Sequence, residues 1–189
     1  MANDGQPVEQ RSHQQPDGAD ELGRLQRLID RSIETATPAV AESVAYAGRQ
    51  MSAAEFVEFW RGVRMVAMTT VGPGGQPHVA PVHAQLGGAA FHMGPARAVG
   101  DENSNLTTLR VVIYENAVRR ADLANNPRVA FSTWREDGAA AILYGRASEI
   151  PGSLREARAG RSGEPRKLVE FAVKLTRIYA MRPPQRKAG

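Results

Sequence analysis

Residues 64–85 read RMVAMTTVGPGGQPHVAPVHAQ, and this stretch decides the fold. Residues 66–71 and 78–85 are rich in β-branched and other apolar side chains, and each run is short enough to be a strand. Between them stands Gly-Pro-Gly-Gly over residues 72–75, a combination typical of tight turns. We therefore predict a β-hairpin over residues 65–85.

Further strand patterns follow the hairpin. We predict a short helix over residues 116–125, ended by Asn126-Pro127, because the residue before a proline disfavours the helical conformation. Residues 151–166 are polar and contain glycine, and they suit either a helix or a loop. Six or more short strands with one small helix indicate a closed or half-closed barrel rather than a parallel sheet. The further predicted strands cover residues 89–93, 109–114, 128–134, 140–149 and 168–181.

The first fifty residues have a different pattern. Residues 1–20 are polar and predict a disordered tail. Residues 21–50 predict a helical extension, with one amphipathic helix ending near Thr35 and a second helical stretch starting at Pro38. This extension could clasp a partner subunit or cover the pocket, and we predict the first role because the apolar face of the first helix needs a surface to cover. The apolar residues of that face are Leu22, Leu25, Ile29 and Ile33.

A capping box marks the start of the main domain, which we assign to residues 51–182. In Ser52-Ala-Ala-Glu55, the Ser hydroxyl can accept from the backbone amide three residues on, and the Glu carboxylate can reach back to the cap. We expect the aromatic residues of the helix that follows to pack against the barrel. Residues 183–189 form a short basic tail.

Composition restricts the class of protein. The chain has 189 residues, 42% of them hydrophobic, which suits one domain with an appendage. It contains no cysteine, which excludes disulfides, thiolate nucleophiles and cysteine-ligated metals. No apolar run is long enough to cross a bilayer, and the N-terminus lacks the pattern of a signal peptide. We expect a cytoplasmic protein that does not associate with membranes.

Charge and histidine spacing indicate neither nucleic-acid binding nor a metal site. The net charge is +4, but the arginines are scattered and no nucleic-acid-binding motif is evident. His78 and His83 are five residues apart on a predicted strand, so their side chains point to opposite faces. No histidine and carboxylate residues stand at metal-ligand spacing. The sequence assigns no catalytic residue.

Three pieces of the chain, in order, resemble the FMN-binding split barrel of the pyridoxamine 5′-phosphate oxidase-like superfamily. Residues 68–82, with their Pro-Val pair, resemble its opening strands. Residues 91–95 (FHMGP) resemble a strand end where many members have threonine in place of Met93. Residues 118–130 (VRRADLANNPRVA) resemble its basic helix start and Asn-Pro-Arg. The resemblance covers about residues 52–181 and implies a mainly β split barrel with flanking helices, preceded here by the helical extension.

The resemblance also implies a cofactor site. The flavin ring would lie against the strand that carries Ala80, Pro81, Val82 and His83. The phosphate would be held at the start of the short helix by Arg119, with Arg120 as the neighbouring candidate. A helix N-terminus offers free amides, and a guanidinium can bind two phosphate oxygens.

Two registers of this site are open, because the chain has more residues between the third strand and the short helix than the compact family pattern. In one register, the strand ending at Met93 lies on the cofactor and Arg97 binds the phosphate. In the other, residues 112–116, which end at Asn116, take that role.

The function implied by the resemblance is hydride or electron transfer to a small-molecule substrate, at FMN bound between the subunits of a homodimer. One alternative is a reductase of the same fold that uses the deazaflavin F420, whose anionic tail would suit Arg64, Arg97 and Arg110. Another is a non-catalytic flavin carrier or a barrel without a ligand, which Met93 and the extra residues favour. The chain lacks the Arg-Leu-x-Pro ending of genuine pyridoxamine phosphate oxidases, which does not favour vitamin B6 oxidation.

Overall fold

The computed structural model describes residues 18–87, 105–157 and 166–183. Three predicted features lie outside these ranges: most of the N-terminal tail, the strand over residues 89–93 and the basic tail from residue 184. Met93 and Arg97 are therefore outside the described residues as well.

The described residues form four α-helices and eight strands. The helices are α1 (Gly18–Glu34), α2 (Pro38–Ala45), α3 (Ala53–Arg61) and α4 (Val118–Asn125), and a short 3-10 turn covers Tyr46–Gly48. The strands are β1 (Val66–Val71), β2 (Pro77–Val82), β3 (Ala84–Leu86), β4 (Thr108–Tyr114), β5 (Arg128–Trp134), β6 (Ala140–Glu149), β7 (Arg155–Ala157) and β8 (Arg166–Met181).

All eight strands belong to one antiparallel sheet that curves into a barrel. Its strand order is β2-β1-β5-β6-β8-β4-β3, with β7 paired to β8. The two end strands, β2 and β3, are consecutive in the chain and separated only by His83. Since one residue cannot span a flat sheet, the sheet must bend round until its two ends meet. This confirms the predicted mainly β split barrel with flanking helices.

The predicted hairpin is confirmed, but its second strand is not continuous. Residues 78–85 were expected to form one strand, whereas the structure breaks it at His83. The cause is a change of partner: β2 pairs with β1, and β3 pairs with β4. A single strand cannot follow both neighbours round the barrel without a bend.

Helices α1 and α4 and the stretch over residues 151–166 also differ from the predictions. Helix α1 begins at Gly18, inside the stretch assigned to the tail, and α4 begins at Val118 rather than Asn116. The stretch over residues 151–166, expected to be a helix or a loop, contains the short strand β7. This strand forms because its backbone pairs with the N-terminal end of β8, a contact that local sequence does not encode.

The helical extension packs on its own barrel, so the reason given for a partner-clasping role was wrong. The face that contains Leu25, Leu28 and Ile29 is buried, and the backbone N–H of Ile178 in β8 donates to the Ser32 hydroxyl at 2.9 Å. Leu22, expected on this face, is 38% exposed. The apolar surface that the helix needs is therefore supplied by β8 and α3 of the same chain.

The capping box at the start of α3 is present as predicted. The Ser52 hydroxyl accepts from the Glu55 backbone N–H, and the Glu55 carboxylate accepts from the Ser52 backbone N–H. The Glu55 carboxylate accepts hydrogen bonds from both the backbone N–H and the hydroxyl of Ser52, and these two bonds, with the charge of Arg182, hold the pKa of Glu55 below its usual value. The helix thereby buries Phe56 and Trp60 in the core, which confirms the expected packing of its aromatic residues.

Candidate functional site

A buried carboxylate joins α4 to the β1–β2 hairpin. Asp122 is 1% exposed. The hydroxyl of Thr70 donates to its Oδ2 at 2.6 Å, and the Nδ1 of His78 lies 2.7 Å from the same oxygen. Thr70 and His78 are cross-strand partners on β1 and β2, so both reach the helix from one place on the hairpin. This cluster of Thr70, His78 and Asp122 fixes where α4 lies on the barrel.

Asp122 is ionised in this cluster. Burial alone would raise its pKa, but the hydrogen bonds from Thr70 and His78, together with the charges of His78 and Arg119, hold that pKa below the usual value. A buried negative charge is stable only when it is paired and hydrogen-bonded. The cluster is therefore an electrostatic unit in which one anion is compensated by its neighbours.

Gly72 leaves the room that this cluster needs. A Cβ at this position would lie 3.1 Å from Cε1 of His78 and 3.4 Å from Oδ1 of Asp122. The backbone of the hairpin can thus approach the imidazole and the carboxylate closely. The glycine that the sequence marks as a turn residue also serves to pack the His78–Asp122 pair.

Arg120 is held by acidic side chains. Its Nε and Nη2 donate to the two carboxylate oxygens of Glu149 at 2.9 and 2.8 Å, and its Nη1 lies 3.9 Å from Glu115. This bidentate pair lowers the pKa of Glu149. A phosphate would have to compete with two carboxylates for this guanidinium.

Arg119 differs from its neighbour. Its Nε is buried and has no hydrogen-bond partner among the residues that the structure describes. Arg119 is the second residue of α4, and the N-cap residue is Ala117, whose methyl side chain cannot accept from the first amides of the helix. An unpaired guanidinium nitrogen next to uncapped helix amides is the arrangement that an anionic group would satisfy.

The four residues predicted to face the flavin ring differ in accessibility. Val82 is buried in the barrel core, whereas Ala80 is half-buried and Pro81 and His83 are exposed. The Nδ1 of His83 donates to the backbone carbonyl of Arg64 at 2.8 Å. A ligand outside the core could therefore reach Ala80, Pro81 and His83, but not Val82.

The structure describes the strand on which one register of the site depends, but not the strand on which the other depends. Strand β4 ends at Tyr114 and α4 begins at Val118, so the described strand directly before the helix is the one that contains residues 112–114. Asn116 is exposed in the connection. Met93 and Arg97, on which the other register depends, lie outside the described residues.

The structure describes two of the arginines considered for the F420 tail, Arg64 and Arg110, and they differ in exposure and in ion pairing. Arg110 is largely buried and pairs with Glu170 at 3.2 Å, a carboxylate that Arg155 also contacts at 3.2 Å. Arg64 is exposed near the start of β1. Arg110 is thus paired with a carboxylate within the fold, although its Nε, like that of Arg119, is buried with no hydrogen-bond partner among the described residues, whereas Arg64 is accessible to an anion.

Sequence reasoning missed Thr70, His78 and Asp122 as parts of the site. His78 and Asp122 are 44 positions apart, and Thr70 and Asp122 are 52 apart. One signal was available: Asp122 follows Arg119 by three residues, a spacing that places two side chains on one helix face. In the three described ranges, no group of three histidine, aspartate or glutamate side chains could hold a metal ion. No helix in those ranges is long and apolar enough to cross a membrane.

The sequence profile of the pyridoxamine 5′-phosphate oxidase family matches residues 52–181. No curated protein shows significant sequence similarity to the chain. A conserved hypothetical protein of Mycobacterium tuberculosis, Rv2991, is 16% identical over 76% of this chain and 95% of its own, with a TM-score of 0.50.

Two further solved structures match with lower TM-scores. A protein named F420 reductase is 17% identical over 64% of this chain and 93% of its own, with a TM-score of 0.44. HutZ, the heme storage protein of Vibrio cholerae, is 13% identical over 68% of this chain and 93% of its own, with a TM-score of 0.45. At 16% identity, the likeness to Rv2991 shows a shared fold and nothing more. Because the family profile covers more than half of its residues, the chain belongs to the pyridoxamine 5′-phosphate oxidase-like split-barrel family.

Proposed function

We propose that the protein is an FMN-binding oxidoreductase, in which α4 holds the phosphate and the hairpin strand β2 lies along the flavin ring. The observation that carries the proposal is the buried Nε of Arg119, without a partner among the described residues, at a helix start with no side-chain cap. Membership of a family named for a phosphate-ester oxidase supports a phosphorylated ligand.

In this proposal the chain binds and orients, and the flavin supplies the redox chemistry of hydride or electron transfer. Arg119 and the first amides of α4 would hold the phosphate. Pro81 and His83, exposed on either side of the buried Val82, would meet the ring or the small-molecule substrate. The Thr70–His78–Asp122 hydrogen bonds keep these two elements in one geometry, because they tie α4 to the hairpin directly.

Replacement of the phosphate-binding arginine tests the proposal. We expect Arg119→Ala to weaken FMN binding by at least about tenfold, since a hydrogen bond to a charged group contributes about 1.5–3 kcal/mol. Binding of riboflavin, which has the ring without the phosphate, should change far less. The measurement is flavin fluorescence quenching, supported by the visible spectrum after gel filtration.

Arg120→Ala is the matched control, because it removes a guanidinium one residue away that Glu149 already holds. It should weaken FMN binding less than Arg119→Ala does. Equal losses in the two variants would contradict the assignment of the phosphate to Arg119. Retention of F420 in place of FMN would move the protein to the deazaflavin reductases, and a flavin that no reductant turns over would indicate a non-catalytic carrier.

The proposed protein is a homodimer with the flavin at the interface, and the outer face of the sheet supports this arrangement. Across β2, β1, β5 and β6 the paired residues are small or apolar, and Val79, at the edge, is 64% exposed. An outer face of small side chains between larger apolar ones can pack closely against a second copy of itself. The two cross-strand rows are Pro81, Ala67, Ser132 and Ile142, and Val79, Thr69, Ala130 and Tyr144.

A charge in the middle of this face should separate the subunits. Ala130 lies between Thr69 and Tyr144, so Ala130→Arg would place a guanidinium in the centre of the interface. We expect a monomer by sedimentation at concentrations where the native protein is a dimer, because burying an unpaired charge is strongly unfavourable. Ala39→Arg, on the exposed side of α2, is the control and should remain a dimer. A dimer that persists in Ala130→Arg would rule out this face.

A further inference from the structure

Four cationic side chains that are scattered in the sequence lie close together on the outer face of the sheet. Arg128 on β5 is the cross-strand partner of Arg146 on β6, and Arg146 is in turn the partner of Lys174 on β8. Directly opposite residues project from the same face of a sheet, with Cβ atoms about 5 Å apart. Arg177 lies three positions beyond Lys174, and all four residues are exposed. We call Arg128, Arg146, Lys174 and Arg177 the basic patch.

A β-bulge brings Arg177 into the basic patch. Because side chains alternate between faces, residues 174 and 177 would lie on opposite faces of a regular strand. Tyr144 on β6 is opposite Arg177, whereas the next residue of β6 is opposite Leu175. Thr176 is therefore an extra residue in β8, and it reverses the alternation beyond it. The bulge thus turns Arg177 outward, to the face on which Lys174 lies, and adds a fourth positive charge.

The positive charge of the basic patch is not neutralised within the fold. In the part of the chain that the structure describes, no carboxylate pairs with any of its four side chains. Other exposed arginines are paired: Arg61, Arg135 and Arg182 each have a carboxylate oxygen within 3.1 Å. Like charges directly opposite each other destabilise a sheet. A local arrangement that costs stability is typical of a functional site, and a bound anion would remove the repulsion.

We propose that the basic patch is a binding site for a diphosphate group, either free or within a nucleotide. A guanidinium donates in a rigid fork that fits two phosphate oxygens, so neighbouring arginines can each hold one of two linked phosphates. Lys174 adds a compact charge at the end of the row. The inference goes beyond the proposed function and does not depend on it, because neither Arg119 nor α4 belongs to the patch.

The size of the basic patch fits a compact anion. The patch covers three neighbouring strands, a width of about 10 Å. Beyond Lys174 the row continues on β4 with the uncharged Thr108. Along β6, the residues two positions before and after Arg146 are Tyr144 and Ser148, which are also uncharged. A single-stranded nucleic acid requires a basic groove that follows its backbone over several nucleotides, whereas two adjacent phosphates fit within these limits.

Calorimetric titration of the full chain with inorganic diphosphate and with orthophosphate tests the proposal. We expect diphosphate to bind more tightly than orthophosphate, because it can contact more of the cations at once. Arg146→Gln should weaken diphosphate binding by at least about tenfold, since it removes charged hydrogen bonds from the middle of the patch. Without ligand, this variant should unfold at a higher temperature than the native protein, because two like-charge contacts are lost. An arginine with a purely structural role would give the opposite shift.

Arg135→Gln is the matched control. It removes the same charge from another exposed arginine, which lies outside the basic patch and pairs with Asp137 at 2.9 Å. Its affinity for diphosphate should equal that of the native protein. ADP and NADH then separate the two sources of the diphosphate group. Tighter binding of either nucleotide than of inorganic diphosphate assigns the patch to a nucleotide, and weaker binding of both assigns it to the free ion.

Four results would overturn the inference. The first is diphosphate binding no tighter than orthophosphate binding. The second is binding that Arg119→Ala abolishes and Arg146→Gln leaves intact, which would place the anion at α4 and leave the proposed function standing. The third is a single-stranded oligonucleotide that binds where diphosphate does not. The fourth is a dimer that Arg146→Gln dissociates in sedimentation, which would assign the patch to the subunit interface. A protein that binds diphosphate at the patch but no FMN would contradict the proposed function alone.

Discussion

Asp122→Ala is expected to lower the free energy of unfolding by about 3 kcal/mol at neutral pH, because two hydrogen bonds to a charged acceptor are lost in a buried place. The Thr70 hydroxyl and the His78 Nδ1 would both lose the oxygen to which they donate. The new alanine also leaves a small void next to Gly72, where the packing is close. Urea denaturation followed by tryptophan fluorescence measures the difference.

Asp122→Asn provides the control for this prediction. It keeps the shape and one acceptor but loses the charge, so the loss of stability should be clearly smaller than in the alanine variant. The pH dependence gives a second check. Because the pKa of Asp122 is lowered in the folded state, the ionised carboxylate stabilises the fold above its unfolded pKa of 3.8, and this contribution disappears as the pH falls through the folded value. A difference between native protein and Asp122→Ala that is unchanged in acid would contradict a stabilising carboxylate.

Gly145→Ala is expected to destabilise the protein by about 3 kcal/mol, because the added methyl group has no space. A Cβ at Gly145 would lie 2.6 Å from Cγ1 of Val173 and 2.8 Å from the backbone oxygen of Lys174. Both residues belong to β8, and the pairing of β6 with β8 shifts register between Tyr144 and Gly145. The strand could make room only by breaking backbone pairing in the middle of the sheet.

The matched control is Gly74→Ala in the β1–β2 turn. A Cβ at Gly74 meets nothing within 4 Å, and this glycine is not among those with a positive φ. Since alanine also restricts the unfolded chain, this substitution should be neutral or slightly stabilising. Thermal unfolding of the two variants side by side gives the comparison. A Gly145→Ala protein as stable as the native one would show that β8 moves aside easily.

The sequence by itself determined the elements whose causes are local. The hairpin follows from two β-rich runs around Gly-Pro-Gly-Gly, and the start of α3 follows from hydrogen bonds between residues three positions apart. The strands that became β4, β5, β6 and β8 were predicted within two residues at each end, because alternating polarity is a property of neighbouring positions. The short helix with its two arginines was also predicted from neighbouring positions, because Asn126-Pro127 marks its end.

Only the tertiary structure decided which residues could form a site. The break at His83 depends on β2 and β3 having different partners, and the interior position of Leu25 and Ile29 depends on β8 arriving from the far end of the chain. The two neighbouring arginines look equivalent in sequence, yet Arg120 meets Glu149 from 29 positions away and Arg119 lies beside Asp122. Hydrogen bonds and charge pairs form between side chains that folding brings together, and no local pattern specifies these encounters.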